Sequence, residues 1–92
     1  MKVYICGKVT GDDNYLEKFS TAARKLWEMG YEVVNPTDYT LEFWSWERCM
    51  KVVIPKLCAC DAIYLLPDWE DSRGARLEKQ IAEELGIEEL RF

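Results

Sequence analysis

The residue whose type and position most suggest chemistry is Glu78, within the stretch EDSRGARLEKQ at residues 70–80. A helix from about Arg73 to Gly86, at about 100° per residue, gathers its apolar side chains on one arc. Glu78 is the only charged residue on that arc, among Gly74, Ala75, Leu77, Ile81, Ala82 and Leu85. Burial of an unpaired carboxylate is costly unless hydrogen bonds or a raised pKa compensate. The position therefore fits a nucleophile or a general acid that faces a cleft.

A structural explanation of Glu78 competes with this interpretation. A glutamate in the first turn of a helix interacts favourably with the helix macrodipole, by about 0.3–1 kcal/mol. That effect accounts for a carboxylate on the outward face of the helix, but not for one centred on the apolar stripe. The spacing favours function, whereas the structural explanation predicts that Glu78→Leu raises stability and leaves ligand affinity unchanged.

The composition limits the classes of partner. The chain has 92 residues and no linker, repeat or low-complexity segment, so one domain over residues 1–92 is expected. A net charge of −5 and the lack of a basic tract argue against binding to a nucleic acid polymer. No apolar run approaches the roughly 20 residues of a membrane span, and no signal peptide is recognisable. We therefore expect a cytoplasmic protein with no membrane partner.

The titratable residues restrict the possible mechanisms. The sequence has no histidine, which excludes Ser-His and Cys-His catalysis and leaves carboxylates, Tyr, Lys and Cys for proton transfer. The four cysteines do not have the spacing of a zinc finger or a CxxC redox motif, and reduced thiols are expected. We predict neither a metal nor a cofactor.

Strand-like and helix-like segments alternate along the whole chain. Strands are predicted at residues 2–6, 31–34, 61–67 and within 87–92, and helices from Tyr15 to a stop at Gly30, over 46–58 and over 73–86. Pro55 is expected to kink or shorten the second helix. Alternation of this kind predicts an α/β fold, a small flavodoxin-like or Rossmann-like three-layer sandwich with a mostly parallel sheet of about four strands.

Ligands of such sheets bind beyond the carboxyl ends of the strands, where three loops of this chain converge. The loop CGKVTG offers Gly7, Lys8 and Gly11 as a phosphate site, although the two glycines can equally make only a turn. The loop NPTD adds Asn35 as a substrate-binding candidate. Tyr4 lies in a core strand, from which its hydroxyl can reach the cleft.

Other polar and aromatic residues near these loops have two interpretations each. Asp12, Asp13 or Asn14 can cap the first helix, and Asp71 either caps the third helix or lies in a solvated acidic loop. The aromatic segment at 43–46 can stack a nucleobase or cover an interface between subunits.

Three segments, YICGKVTG, GYEVVNP and CDAIYLLPDWEDSRGARLE, resemble in order the signature segments of the nucleoside 2-deoxyribosyltransferase-like superfamily. The match is closest to a small branch known mostly as a domain of unknown function in bacteria and phages. The resemblance implies a flavodoxin-like fold and cleavage of the N-glycosidic bond of deoxynucleosides or their 5′-monophosphates. It also implies a small-molecule nucleoside or nucleotide as partner and a homo-oligomer, most simply a dimer.

The resemblance assigns roles to individual residues. It makes Glu78 the nucleophile that attacks the sugar C1′, and Tyr4 the residue that orients it. Water or a second base then resolves the glycosyl-enzyme intermediate, with retention of configuration. The positions that hold phosphate in relatives that hydrolyse monophosphates correspond here to Gly7, Lys8, Gly11 and Ser72, with Gly74 beside them.

The sequence departs from the superfamily pattern at several positions. Val53 stands where relatives have an aspartate that assists the leaving group, and Arg76 and Gln80 stand where relatives often have glycine. Asp71 or Asp61 can replace the missing acid. The alternatives are a nucleotide-binding or sensor module without turnover, or an accessory protein that binds a host partner through its Trp-rich segment.

Overall fold

Four parallel strands form the centre of the protein, and three helices connect them. A computed structural model describes all 92 residues. In chain order the elements are β1 (Lys2–Cys6), α1 (Tyr15–Glu28), β2 (Glu32–Val34), α2 (Trp46–Cys58), β3 (Ala62–Leu65), α3 (Arg73–Glu84) and β4 (Glu88–Leu90). The strand order is β2-β1-β3-β4, and every neighbouring pair is parallel. The predicted α/β fold is confirmed.

The side chains of β1 divide between the two faces of the sheet. Val3 and Ile5 pack with Phe19 and Leu26 of α1, and all four are fully buried. Tyr4 and the other alternate residue of β1, Cys6, belong to the second core cluster, which α2 and α3 cover. Because side chains of a strand alternate between faces, this division produces the predicted three layers. It also directs the Tyr4 side chain towards α3.

Several element boundaries differ from the prediction for local reasons. Helix α2 has the predicted bounds and runs through Pro55 to Cys58, so the proline does not shorten it. Helix α3 ends at Glu84 rather than Gly86, and Leu85 is its C-cap. Asn14 occupies the N-cap position of α1, but no side chain caps that helix. None of the three helices combines the length and apolar character that a membrane crossing needs.

The aromatic segment at 43–46 lies at the end of a loop that joins a short turn to α2, and its last residue, Trp46, is the first residue of that helix. A 3₁₀ turn at Pro36–Asp38 follows β2, and Asn35 caps it by accepting a hydrogen bond from the Thr37 amide at 3.1 Å. Ser45 caps α2 in the same way, accepting from the Arg48 amide at 3.1 Å. The loop therefore has both ends fixed.

Candidate active site

A pocket of about 360 Å³ lies where the loops after β1 and β2 meet the aromatic segment and the facing sides of α2 and α3. Its size is in the range of small-molecule sites in proteins. Five of the residues that sequence analysis selected line it: Gly7, Gly11, Ser72, Gly74 and Glu78. The structure thus brings the first glycine loop and the beginning of α3 to one cavity.

Glu78 is the only charged residue in the core, with 6% of its surface exposed. The phenol of Tyr4 donates a hydrogen bond to its carboxylate. No Lys or Arg pairs with it in any of the ion pairs of the protein. Burial raises the pKa of Glu78 to about 7, and hydrogen bonds from Tyr4 and Cys6 oppose part of this rise. The carboxyl group is therefore partly protonated at neutral pH and faces a cavity.

Tyr4 and Cys6 surround this carboxylate from β1 and remain protonated. Burial, followed by the Glu78 charge, raises the pKa of the Tyr4 phenol well above its ordinary value. Burial and the same carboxylate also raise the pKa of the Cys6 thiol, which lies 3.4 Å from the carbonyl oxygen of Ala75. Both side chains can donate to Glu78, and neither is an anionic nucleophile.

The N-terminal turn of α3 brings Ser72 and Gly74 to the pocket. Ser72 caps the helix, since its Oγ accepts a hydrogen bond from the Ala75 amide at 3.1 Å. A Cβ on Gly74 would lie 3.2 Å from the Met50 sulfur and 3.4 Å from Nε1 of Trp46. Glycine at position 74 thus allows α3 to approach α2 closely. Asp71, which the sequence offered as a cap for this helix, does not cap it.

The first glycine loop is held by contacts that sequence did not reveal. Lys18 of α1 donates to the carbonyl oxygen of Lys8 at 2.8 Å and to the carboxylates of Asp12 and Asp68. The amide of Lys8 donates to Asp68 at 3.1 Å. A Cβ on Gly7 would lie 2.6 Å from a side-chain carbon of Leu66, so glycine is needed for the close approach of this loop to the end of β3.

Five predicted residues lie outside the pocket lining, and one of them, Tyr4, contacts it through its hydrogen bond to Glu78. The Lys8 side chain is not part of it, and Asn35 instead caps the turn after β2. Asp71 is exposed and does not line the cavity. Asp61 precedes β3 and accepts from the Lys2 amide at 2.8 Å, so it lies at the amino ends of the strands, away from the pocket. Neither of the two replacement acids considered from sequence therefore lines the cavity.

The lining also includes residues for which the sequence left the role open or gave no signal. Trp44 and Trp46 belong to the aromatic segment, whose density was the only signal for them. The guanidinium of Arg48 lies 4.0 Å from the ring centre of Trp44, and that of Arg73 lies 3.6 Å from the ring centre of Trp46. Further polar groups, which had no sequence signal for binding, come from Thr10, Asp13, Thr37, Thr40 and Glu42.

Val53, which stands where the resemblance implies an aspartate, is in an apolar environment. Val53 lines the pocket with 4% of its surface exposed. No group of three or more His, Cys, Asp or Glu side chains is arranged to hold a metal ion, and all four cysteines are free. The polar groups of the lining include carboxylates, hydroxyl groups and the thiol of Cys49, and the phenol of Tyr4 donates to the carboxylate of Glu78.

Comparison with known proteins identifies the family and the fold. The model of the family described as a domain of unknown function, DUF4406, matches residues 1–90. Among curated proteins, none matches the sequence significantly.

Two solved structures resemble the protein over 97% of its chain. One is a 2-deoxyribosyltransferase from the psychrotolerant bacterium Bacillus psychrosaccharolyticus, with a TM-score of 0.74, 21% identity and 69% of its own chain covered. The other is the CMP N-glycosidase BcmB of Clostridium botulinum, with a TM-score of 0.63, 22% identity and 66% of its chain covered. Both are in the nucleoside 2-deoxyribosyltransferase-like superfamily, so the predicted resemblance is confirmed at the level of the fold.

Proposed function

We propose that this chain, which belongs to the DUF4406 family, cleaves the N-glycosidic bond of a small nucleoside or nucleotide with Glu78 as the nucleophile. The observation that carries the proposal is a buried carboxylate, without a cationic partner, that lines a ligand-sized pocket and accepts a hydrogen bond from Tyr4. The two structural neighbours support the reaction class, because one is a 2-deoxyribosyltransferase and the other a CMP N-glycosidase.

The first step requires the ionised form of Glu78. One carboxylate oxygen attacks C1′ of the sugar, the bond from C1′ to the base nitrogen breaks, and the base leaves with the electron pair and takes a proton from solvent. A pKa of about 7 leaves a useful fraction of Glu78 ionised at neutral pH while keeping it more basic than an exposed glutamate. Tyr4 holds the reactive carboxylate in one orientation and stabilises its charge.

The second step releases Glu78 from the glycosyl ester. A water molecule or a second nucleobase attacks C1′ from the side opposite to Glu78 and gives up a proton to solvent, while the bond from C1′ to the carboxylate oxygen breaks. Two displacements at the same carbon give net retention of configuration. Trp44 and Trp46 line the pocket and offer apolar ring faces on which a base can stack.

A panel of the common deoxynucleosides and their 5′-monophosphates tests this activity. Each compound is incubated with the protein, and free base is measured by liquid chromatography. A second panel with an added free base separates transfer, which forms a new nucleoside, from hydrolysis. We expect protein-dependent release of base from at least one compound, and no release from any of them would contradict the proposal.

One observation favours a second candidate, a nucleotide-binding or sensor module without turnover. Val53 gives the pocket an apolar surface where relatives have an aspartate, and neither Asp71 nor Asp61 lines the cavity to replace it. A sensor would show a thermal shift with nucleosides or nucleotides and no free base in the same samples. Base release accompanied by a thermal shift would favour the enzyme.

We further propose that the protein associates as a homodimer, as the sequence suggested. Phe43, which adjoins the pocket lining, is 81% exposed, and Trp27 is 72% exposed. Large apolar side chains with this exposure are frequent at protein interfaces. Light scattering coupled to size exclusion should give twice the mass of the chain, and a monomeric mass at micromolar concentration would contradict the proposal.

A further inference from the structure

The charged side chains that line the pocket are all acidic. Asp12, Asp13, Glu42 and Glu78 are among its 21 lining residues, which include no Lys or Arg. The chain also contains no histidine that could become positive on binding. A phosphate group that entered this cavity would therefore meet carboxylates and no cationic side chain of the lining.

Three cations near the pocket are already engaged elsewhere, whereas the ammonium group of Lys8, in the loop between Gly7 and Gly11, forms no ion pair. Lys18 donates to two carboxylates and to the carbonyl oxygen of Lys8. Arg48 and Arg73 stack on the rings of Trp44 and Trp46. To reach a bound phosphate, each of them would have to give up these contacts.

The backbone donors expected at a phosphate site are also partly occupied. The amide of Lys8, in the first glycine loop, donates to the carboxylate of Asp68 at 3.1 Å. At the start of α3, the Ser72 oxygen accepts from the Ala75 amide and caps the helix. The carboxylate of Asp68 thus already occupies one of the amides that a phosphate would need.

The remaining lining suits a neutral, hydroxyl-rich molecule with one flat apolar part. Thr10, Thr37 and Thr40 can exchange hydrogen bonds with sugar hydroxyls, and the exposed carboxylates of Asp13 and Glu42 can accept from them. The tryptophan rings supply the apolar surface. A nucleoside has both features and carries no charge at neutral pH.

We infer that the pocket takes a neutral nucleoside and discriminates against its 5′-monophosphate, an inference that rests on the proposed function for the class of ligand. A phosphate monoester carries a charge of about −1.5 to −2 at pH 7. Like charges brought together in one pocket disfavour binding and reject the charged competitor. Of the two superfamily substrate classes, the lining therefore selects the uncharged one.

The test compares each nucleoside with its own monophosphate. Deoxyadenosine, deoxycytidine, deoxyguanosine and thymidine and their 5′-monophosphates are titrated by calorimetry into Glu78→Gln, which keeps Asp12, Asp13 and Glu42 but does not consume the ligand. Folding of the variant is checked by circular dichroism, and the same ligands are compared by thermal shift with the wild-type protein. We expect at least one nucleoside to bind about tenfold or more tightly than its monophosphate.

A pair of charge-matched variants identifies the cause. Asp13→Asn with Glu42→Gln removes two negative charges from the lining, and Glu17→Gln with Glu28→Gln removes two from the exposed side of α1. The preference for nucleoside should fall about threefold or more in the first double variant and not in the second. It should also fall as sodium chloride is raised from about 50 to 500 mM, because salt screens exposed charges.

The outcomes separate this inference from the proposed function. Equal or tighter binding of the monophosphates, or no binding of any nucleoside, overturns the inference. If the Asp13→Asn, Glu42→Gln variant prefers the nucleoside over its monophosphate as strongly as the parent protein does, the carboxylates are not the cause of the preference. Base release from monophosphates alone overturns the inference and leaves the proposed function standing. Preferential nucleoside binding without base release supports the inference and contradicts the enzymatic proposal.

Discussion

Two groups of carboxylates lie near the carboxyl edge of the sheet, and their surroundings are opposite. Asp12 and Asp68 share the ammonium group of Lys18, which ties the loop after β1 to the loop after β3. Glu78 is more deeply buried, has no cationic partner, and is hydrogen-bonded by the neutral phenol of Tyr4. The first arrangement is a brace between loops, whereas the second leaves a buried carboxylate without a countercharge.

The pKa values of Asp12 and Glu78 move in opposite directions. The hydrogen bond from Lys18, followed by that from the Asn14 amide, lowers the pKa of Asp12. Burial disfavours the charge on Lys18, but the two carboxylates outweigh it and raise the pKa of Lys18. Burial raises the pKa of Glu78 to about 7. A paired carboxylate is thus fixed in its charged form, while Glu78 can change its state near neutral pH.

The largest expected effect comes from removing the unpaired carboxylate. Glu78→Gln and Glu78→Ala should lower base release by about 10³-fold or more, since the nucleophile is lost. The matched control is Glu84→Gln, which neutralises an exposed glutamate on the same helix and should leave the rate unchanged. Full activity in either Glu78 variant would contradict the proposal that Glu78, unlike Asp12 and Asp68, takes part in catalysis.

The second effect is on stability and follows from the direction of the pKa shift. Between pH 4.5 and about 7 the unfolded chain has lost the Glu78 proton that the folded protein keeps, so rising pH favours unfolding. A shift from 4.5 to about 7 corresponds to a penalty of about 3 kcal/mol, absent below pH 4.5 and complete above pH 7.

Urea unfolding of wild type and Glu78→Gln at pH 5, 6, 7 and 8 measures this penalty. The advantage of the glutamine variant should grow with pH and level off above 7. The chain has no histidine, so no imidazole adds its own pH dependence to the free energy of unfolding in this range. A difference between the two proteins that is constant with pH would contradict the raised pKa.

The third effect comes from the phenol that holds Glu78. Tyr4→Phe removes one hydrogen bond to a charged group, worth about 1.5–3 kcal/mol, and should slow base release about tenfold to a hundredfold. Because that bond lowers the pKa of Glu78, the rise of kcat/KM with pH should shift to higher pH in the variant.

Tyr64→Phe is the control for this change. Tyr64 lies in the neighbouring strand β3, and its ring packs against Phe92 rather than against Glu78. It should leave both the rate and the pH profile unchanged. If the pH dependence of kcat/KM is the same in Tyr4→Phe as in the wild type, Tyr4 only packs in the core and does not tune the pKa of Glu78.

The smallest expected effect concerns the ion pairs of Lys18 with Asp12 and Asp68, which tie the two loops together. Lys18→Met should lower the free energy of unfolding by about 1 kcal/mol, because the paired side chains are only partly buried. Arg24→Met, at an exposed position of the same helix, is the comparison and should change stability little. A loss that persists undiminished at high salt would argue against an ion-pair role for Lys18.

The sequence predicted those features that depend on periodicity. Helical spacing placed Glu78 on the inward face of α3, and alternation in β1 directs Tyr4 and Cys6 to the same face. The order of apolar runs and turns predicted the parallel sheet. Each of these features depends on the pattern of residues within a few positions of the chain, and that pattern is visible in the sequence.

The loop contacts could not be predicted in this way. Asp68 meets Lys8 and Lys18 across 60 and 50 positions of the chain, and no local pattern signals those pairings. Asp71 was the candidate cap of α3, but the adjacent Ser72 is of a type that caps helices equally well, and only the backbone path decides that Ser72 fills the position. Asp13 and Glu42 reach the pocket from loops, which lack the regular spacing of apolar residues that predicts helices and strands.

The most direct test of the central claim is a search for the covalent intermediate. The protein is mixed with the deoxynucleoside that releases base fastest, quenched rapidly in acid, digested and analysed by mass spectrometry. We predict that the peptide containing Glu78 gains the mass of one deoxyribosyl group, and that Glu78→Gln shows no such gain. Base release at full rate with the adduct on another residue, or in the Glu78→Gln variant, would contradict the assignment of Glu78 as the nucleophile.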